Sequence, residues 1–460
     1  MENAVTQNEN NIVIRDILQI VAVPLLIFGL RITLASIFPR EATGIFNISL
    51  SEWVILLLGV YTILYRLLYK REVLKQPKLI KVFIGLAFLL AIVMVLGIIG
   101  RLQTTGSTRG IALLPRVVFT SFILFLSLKV LRLKPHIIIK GLLLTVFSST
   151  PVLFIIFLYE GVMRGDIPLF GNSNIYLLFI LASLPLLFFS IEQYHRIWRI
   201  MSVISLVMIV PLFIASGSRI AFPLFFVVVI GLYIFSNKKK SVKRKGFEFC
   251  GILLYSVLSL SILLTFGGDQ VKGNTARSVS VVNDAFASVG LEEIDVLRIF
   301  GFGELSEEKD KQEQRIAEIR EEVERDNAIS NSHRRDWNQR SIDRINASTW
   351  TFLVGTGTSV IPTRTLGPQS PHNMFLQYML QFGLLGTILA FGVIGIPFAM
   401  LFIEKRKYKV LAMLSLVVAI AMSFYQPTFG NSSILFALFL VVYAVAEVDQ
   451  DGDFYEKVSK

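Results

Sequence analysis

His372 is one of four histidines in the chain and stands at the head of "SPHNMFLQYMLQFGLLG" (370–386), a run that otherwise reads as the start of a membrane helix. Ser370 suits the N-cap and Pro371 the first helical position, which puts His372 in the first turn. Helix N-termini carry free N–H groups and partial positive charge, so they attract phosphate and favour a neutral imidazole. A neutral imidazole can accept a proton or a hydrogen bond. Behind it Asn373, Gln377 and Gln381 recur every four residues, one polar stripe that should face a bundle interior and not lipid. The competing interpretation is an interfacial histidine followed by polar interhelical glue.

A second candidate lies in "ASGSRIAF" (215–222), a tight turn between two apolar runs. Ser218 can cap and Arg219 then opens the next helix. A cation is unfavourable at a helix N-terminus, and an arginine on an outer face runs against the usual charge bias of membrane proteins. An anionic ligand would resolve both conflicts; the alternative is a side chain that reaches headgroup phosphates. The third set is Arg277, Arg334, Arg335, Arg340 and Arg344, the last four clustered around Trp337 in "SHRRDWNQRSIDRI". Guanidinium forks suit phosphate oxygens, although many of these must be solvated charges or partners of nearby carboxylates. Arg116, in "LLPRVVFTS", falls inside an apolar run, as do Arg31 and Arg66. Intramembrane arginine is expensive, and Arg116 is the best placed of the three toward an outer end. No His, Asp or Glu cluster has metal-ligand spacing. "GFGE" and "GTGT" lack the Lys and Ser/Thr of a phosphate loop. "NIS", "NAS" and "NSS" match the glycosylation sequon and carry little weight.

The elements that must position these residues follow from composition. The chain is 54% hydrophobic and 17% charged, too apolar for a soluble protein of this length. Many apolar runs reach the length that crosses a hydrocarbon core, and they are continuous, not alternating. The expectation is an all-α polytopic membrane protein with about 12 spans, at 17–38, 52–69, 82–100, 111–131, 141–162, 174–191, 197–215, 219–236, 247–266, 373–403, 409–426 and 431–447. The polar N-terminus argues against a cleaved signal peptide. One cysteine, Cys250, excludes an intrachain disulfide.

Net charge is +12, and its distribution says more than its sum. The links "YKREVLKQPKLIK", "LKVLRLK", "NKKKSVKRK" and "EKRKYK" are basic and alternate with links that are not. The positive-inside rule puts these four and both termini in the cytoplasm. The segment 267–371 then lies outside as one large extracytoplasmic loop between spans 9 and 10. It divides the chain into 1–266 (about nine spans), 267–371 and 372–460 (about three spans). "LSEEKDKQEQRIAEIREEVERDNAI" should form a solvent-washed helix with a narrow stripe of Ile316, Ile319 and Val323. The loop is too polar for a large core of its own and is expected to pack on the helix mouths as a lid.

The order of these motifs resembles the bacterial O-antigen polymerase and O-antigen ligase superfamily. The matching elements are "SGSR" opening a span, a large outward loop with "SHRRDWNQR", then "VGTGTSVIP", then the His-Asn run from Ser370. "RGDIPLFG" (164–171) looks more like the polymerase branch. The long charged helix in the loop departs from the family's shorter loops. The resemblance implies a glycosyltransferase acting on a polyisoprenyl-pyrophosphate oligosaccharide donor and a glycan acceptor, at the outer side of a bacterial cytoplasmic membrane. Arg219 would be the first choice for the leaving pyrophosphate. Arg277, Arg334 or Arg335 would supply the loop arginine, and His372 would be the acceptor-side base or hydroxyl orienter. Arg340, Arg116, Asn373 and Gln377 complete the expected pyrophosphate and glycan contacts. It implies no cofactor and no metal. Expected partners are membrane lipids and other polysaccharide assembly proteins, such as a flippase and a chain-length regulator, with no nucleic acid. A ligase is the nearest alternative. A transporter would show similar halves and helices broken at matching midplane positions, and neither is visible in the sequence. A scaffolding protein leaves Arg219 and His372 without a reason.

Overall fold

A computed structural model of the chain describes residues 2–28, 49–69, 78–105, 113–131, 133–160, 173–194, 196–216, 224–225, 228–229, 242–266, 271, 275, 321, 325, 332–357, 361–362, 368–369, 371, 373–403, 408–424 and 432–448. The elements in chain order are α1 (Glu2–Phe28), α2 (Leu50–Tyr69), α3 (Lys78–Thr105), α4 (Leu113–Leu131), α5 (Pro135–Glu160), α6 (Ser173–Gln193), α7 (Arg196–Ala215) and α8 (Val242–Phe266). Then come α9 (332–345), α10 (Thr349–Val354), α11 (Met374–Ile403), α12 (Lys409–Ser423) and α13 (Ser432–Val448). Between α10 and α11 a minimal antiparallel ladder pairs β1 (Ile361–Pro362) with β2 (Pro368–Gln369), so Ile361 faces Gln369 and Pro362 faces Pro368. The fold is helical as expected, with this two-residue ladder as the exception.

Helices lie at every expected span but 219–236, most of which lies outside the described residues. Among the described residues, three helices are long and apolar enough to cross a membrane: Pro135–Ile156, Ile197–Ala215 and Met374–Ile403. Shorter apolar helices accompany them. This is a membrane protein. The charged helix expected around Ile316, Ile319 and Val323 lies outside the described residues except at Glu321 and Arg325, which form an i,i+4 ion pair at 2.7 Å.

The chain divides into two units, one of Met1–Leu142 with Arg334–Lys460, the other of Leu143–His333. In the second unit α6 packs on α7, and α7 on α8. Every side chain from Tyr176 to Leu187 is buried, so α6 is apolar all round because it is sheathed all round. The Thr150 hydroxyl meets the Tyr176 phenol at 3.0 Å, and Ser149 and Thr150 return their hydroxyls to the carbonyls of Thr145 and Val146. That return bond lets a hydroxyl sit where no water reaches it. On α8, Leu254, Tyr255 and Leu258 point outward, as lipid-facing positions do.

In the first unit α13 is the sheathed helix, buried from Ile434 to Ala446, and it packs on α4 and α12. Glu447 at its end pairs with Lys129 of α4. The Tyr443 hydroxyl donates to the Leu133 carbonyl at 2.6 Å. α2 packs on α4 and opens with a reciprocal cap. The Glu52 carboxylate accepts the Ser49 amide at 2.9 Å, and Ser49 Oγ accepts the Glu52 amide at 3.2 Å. Small residues let helices close together: a methyl on Gly59 would strike Ile123, and one on Gly386 would crowd Val93 of α3.

α11 carries the largest departure from the sequence reading. The expected span 373–403 is not one helix. Gly383 sits at φ 63°, ψ −170°, so the helix is broken there into 374–382 and 384–403. The second piece alone covers about 30 Å, the thickness of a hydrocarbon core. No described residue from Met374 to Gly383 is exposed, whereas Leu385, Ile388, Phe402 and Ile403 are. The first piece is thus enclosed by protein, and an outward apolar face begins only after the break.

Candidate functional site: the mouth of the broken helix

The start of α11 is set by Asn373. Its Oδ1 accepts the amides of Phe375 at 2.9 Å and Leu376 at 3.2 Å, satisfying two of the donors that a helix start leaves open. The N-cap is therefore Asn373, not Ser370, and Pro371 precedes the helix instead of opening it. Asparagine caps as well as serine does, and being closer to the apolar run it sets the boundary. His372 lies outside the described residues, between the buried Pro371 and this cap. Gln377, one turn further on, sends Nε2 back to the Pro371 carbonyl at 3.0 Å. The two residues that flank His372 in sequence are thus both tied to the first turns of α11.

The polar stripe points inward. Gln377 is 4% and Gln381 2% exposed, while Asn373 is half-buried. The neighbouring face is aromatic: Phe375 stacks on Phe391 at 5.2 Å and packs on Phe424 at 4.9 Å, and Tyr378 meets Phe391 and Phe382 at 5.4 Å each. Rings of this size hold the short helix against its surroundings where continuous helix backbone cannot.

The break is occupied by the chain itself. In an unbroken helix the Leu380 and Gln381 carbonyls would receive the amides four residues on. Here the Thr356 amide donates to Leu380 O at 2.7 Å, the Thr356 hydroxyl to the same oxygen at 2.8 Å, and the Gly357 amide to Gln381 O at 3.1 Å. Gly355, at φ 89°, passes so close that a Cβ there would lie 2.5 Å from Gln381 O and from Gly383 N; a Cβ on Gly383 would fall on the Leu353 carbonyl and the Val354 amide. Both glycines are required twice, by positive φ and by contact of backbone with backbone. Upstream, α10 begins with a capping box in which Ser348 Oγ accepts the Thr351 amide at 3.1 Å and Thr351 Oγ1 accepts the Ser348 amide at 3.0 Å. Thr351 Oγ1 also donates to Ile345 O at 2.9 Å, joining α10 to the end of α9.

α9 carries the arginine cluster, and burial sorts it. Ser341 and Ile345 are buried, with Arg334, Trp337 and Asn338 half-buried on the same helical face. Ile345 packs with Leu380, Leu376 and Met379 of α11. Arg335 and Arg344 are exposed and have no ion-pair partner among the described residues. Arg340 is committed to Asp336, with N–O distances of 2.9 and 3.0 Å. Arg334 is therefore the member that shares the α11-facing side of the helix.

Arg219 and Arg277 lie outside the described residues; α7 is followed only as far as Ser216, whose hydroxyl donates to Phe213 O at 2.7 Å. Arg116 falls in the first turn of α4, and its side chain is likewise outside them. Asn373, Gln377 and Arg334 belong to the same unit, and Ile345 carries the packing of α9 on α11. Sequence reasoning missed Gly355, Thr356 and Gly383 as structural actors. The available signal was a glycine inside an apolar helical run, at Gly383, preceded by the Gly-Thr-Gly stretch at 355–357.

One further observation bears on these residues together. The sequence from 204 to 391 matches the family described as O-Antigen ligase. The matched stretch covers less than half of the 460-residue chain. The match begins within α7 and ends past the break in α11. It includes Arg219, Arg277, the α9 arginines, the Gly355–Gly357 strap, His372, Asn373, Gln377 and Gly383, and it excludes Arg116. No curated protein matches the sequence. The family match supports the resemblance to the O-antigen ligase and polymerase superfamily.

Proposed function

We propose that this protein is a membrane glycosyltransferase that polymerises polyisoprenyl-pyrophosphate-linked oligosaccharide units into a surface polysaccharide. The observation that carries the reading is the match to the O-antigen ligase family at 204–391, which holds both the span-opening Arg219 and His372. In the reaction an acceptor-sugar hydroxyl attacks the anomeric carbon of the donor. The new glycosidic C–O bond forms, the bond to pyrophosphate breaks, and the lipid pyrophosphate leaves with the electron pair. The hydroxyl proton passes to His372. Negative charge grows on the departing diphosphate, where fixed cations lower the barrier most. Arg219 is the first such cation and Arg334 the second, chosen over Arg335, Arg340 and Arg344 by its place on the inward face of α9. Arg277 and Arg116 are secondary contacts to donor or glycan. Asn373 and Gln377 hold the helix mouth and border the acceptor. The site works at the outer side of the bacterial cytoplasmic membrane, with both termini and the basic links inside.

The second reading is a ligase that moves a finished glycan to a lipid core or protein, favoured by the description of the matching family; "RGDIPLFG" favours the polymerase. Purified protein supplied with polyprenyl-pyrophosphate oligosaccharide alone separates them. A ladder of graded chain lengths indicates polymerase, and a single transfer that requires a separate acceptor indicates ligase. Arg219→Ala and His372→Ala, compared at equal folded yield, should each lose about a hundredfold or more in turnover. Near-normal rates in both would remove the proposed site.

A further inference from the structure

We propose that Gly355, Thr356 and Gly383 are positioning residues: the strap 355–357 is a clamp, seated in the break of α11, that sets where arginine helix α9 stands relative to the α11 mouth. The inference rests on the glycosyltransferase reading and concerns its geometry.

Three independent contacts support it. The strap replaces the helix's own amides at the Leu380 and Gln381 carbonyls, so it occupies a fixed register; sliding by one residue would place a side chain where only Gly355 fits. The strap is joined to α9 through Thr351, which bonds both the Ser348 cap and the Ile345 carbonyl. Ile345 is packed on Leu376, Met379 and Leu380, the same stretch of α11 that the strap grips. The segment from α9 to the strap is therefore fastened to the first piece of α11 at both ends. That piece carries Asn373 and Gln377 at its mouth. A break in a helix normally adds freedom. Here the freed carbonyls are used to fix a second element, so the arginine face and the helix mouth move as one body. Transfer between two bound sugars is sensitive to misplacement of about 1 Å, which a strap of this kind prevents.

The test uses the full chain in lipid nanodiscs, with Cys250→Ala removing the native thiol and spin labels at Gln339→Cys on α9 and Leu385→Cys beyond the break; both positions are exposed. Label-to-label distances are measured together with turnover of a polyprenyl-pyrophosphate oligosaccharide. Gly355→Ala and Gly383→Ala should broaden the distance distribution and lower kcat at least about tenfold, with the donor KM little changed. Gly395→Ala, where an added Cβ meets nothing within 4 Å, should match the parent in both. Thr356→Val should reproduce the glycine defects in milder form and Thr356→Ser should restore the parent values, and this pair decides the matter if the glycine variants do not fold. An unmoved distance distribution overturns the clamp, as does unchanged kcat in a variant whose distribution has broadened, or a loss confined to KM. A parent chain with sound distances and no turnover counts against the glycosyltransferase reading and leaves the clamp to the distance data.

Discussion

The Gln377 side chain donates from Nε2 to the carbonyl of Pro371 at 3.0 Å, and both residues are buried. A helix therefore reaches back past its own cap to hold the segment that leads into it. His372 follows Pro371 directly in the sequence.

Removing that donor should be costly beyond its size. Gln377→Leu keeps the volume and leaves the Pro371 carbonyl buried without a partner, a loss of about 1–3 kcal/mol. We expect a lower melting temperature in detergent and a larger fall in turnover than the melting shift alone would produce. Turnover that stays at the parent level would separate Gln377 from the site.

Asn373 offers a sharper distinction. Its Oδ1 already serves two amides, so its first duty is to cap α11. Asn373→Ala should destabilise by about 1 kcal/mol, and Asn373→Asp and Asn373→Ser should keep most of the stability. If the residue also orients an acceptor hydroxyl through its amide nitrogen, Asn373→Asp will be stable and slow. Thermal melts and initial rates on the same preparations resolve the two roles.

The arginines of α9 should not behave alike. Arg334 lies on the face that carries Ser341 and Ile345, and its replacement by alanine should lower turnover by about a hundredfold. Arg335 and Arg344 are exposed, and Arg340 is held by Asp336. Alanine at any of these three should leave rates within about threefold, as expected of solvated charges and surface ion pairs. A reversed order, measured at equal folded yield, would reassign the loop arginine.

The Lys129–Glu447 pair joins α4 to α13 with side chains 14% and 21% exposed, and Lys129 stands 5.9 Å from the Tyr443 ring. Breaking it from one side strands a mostly buried charge. Glu447→Ala should cost about 3 kcal/mol, while the double change Lys129→Met with Glu447→Leu should recover most of it. A double-mutant cycle of detergent melts checks this.

Much of the architecture was legible in advance. Apolar runs long enough to span a bilayer report helices directly, because backbone amides in lipid have no partner but their own helix. The stripe Asn373–Gln377–Gln381 was rightly placed on an inward face for the same reason. The boundary of α11 was less legible: Ser370 and Pro371 make a good local cap signal, yet Asn373 stands nearer the helix and took the role. Arg219 and, apart from Glu321 and Arg325, the long charged segment fall outside the described residues, so their expected structures stand as proposals.

By itself the sequence determined that this is a helical membrane protein, where its apolar runs lie, and that residues 204–391 are similar to the O-antigen ligase family. These depend on local composition and on motif order, which a chain carries before it folds. Only the tertiary structure decided that α11 is broken at Gly383, that Gly355 crosses it there, and that Arg334 lies on the α9 face that carries Ser341 and Ile345. The first two are settled by contact between segments distant in sequence, where a backbone atom of one excludes the Cβ of the other, and the third by the burial of Ser341 and Ile345.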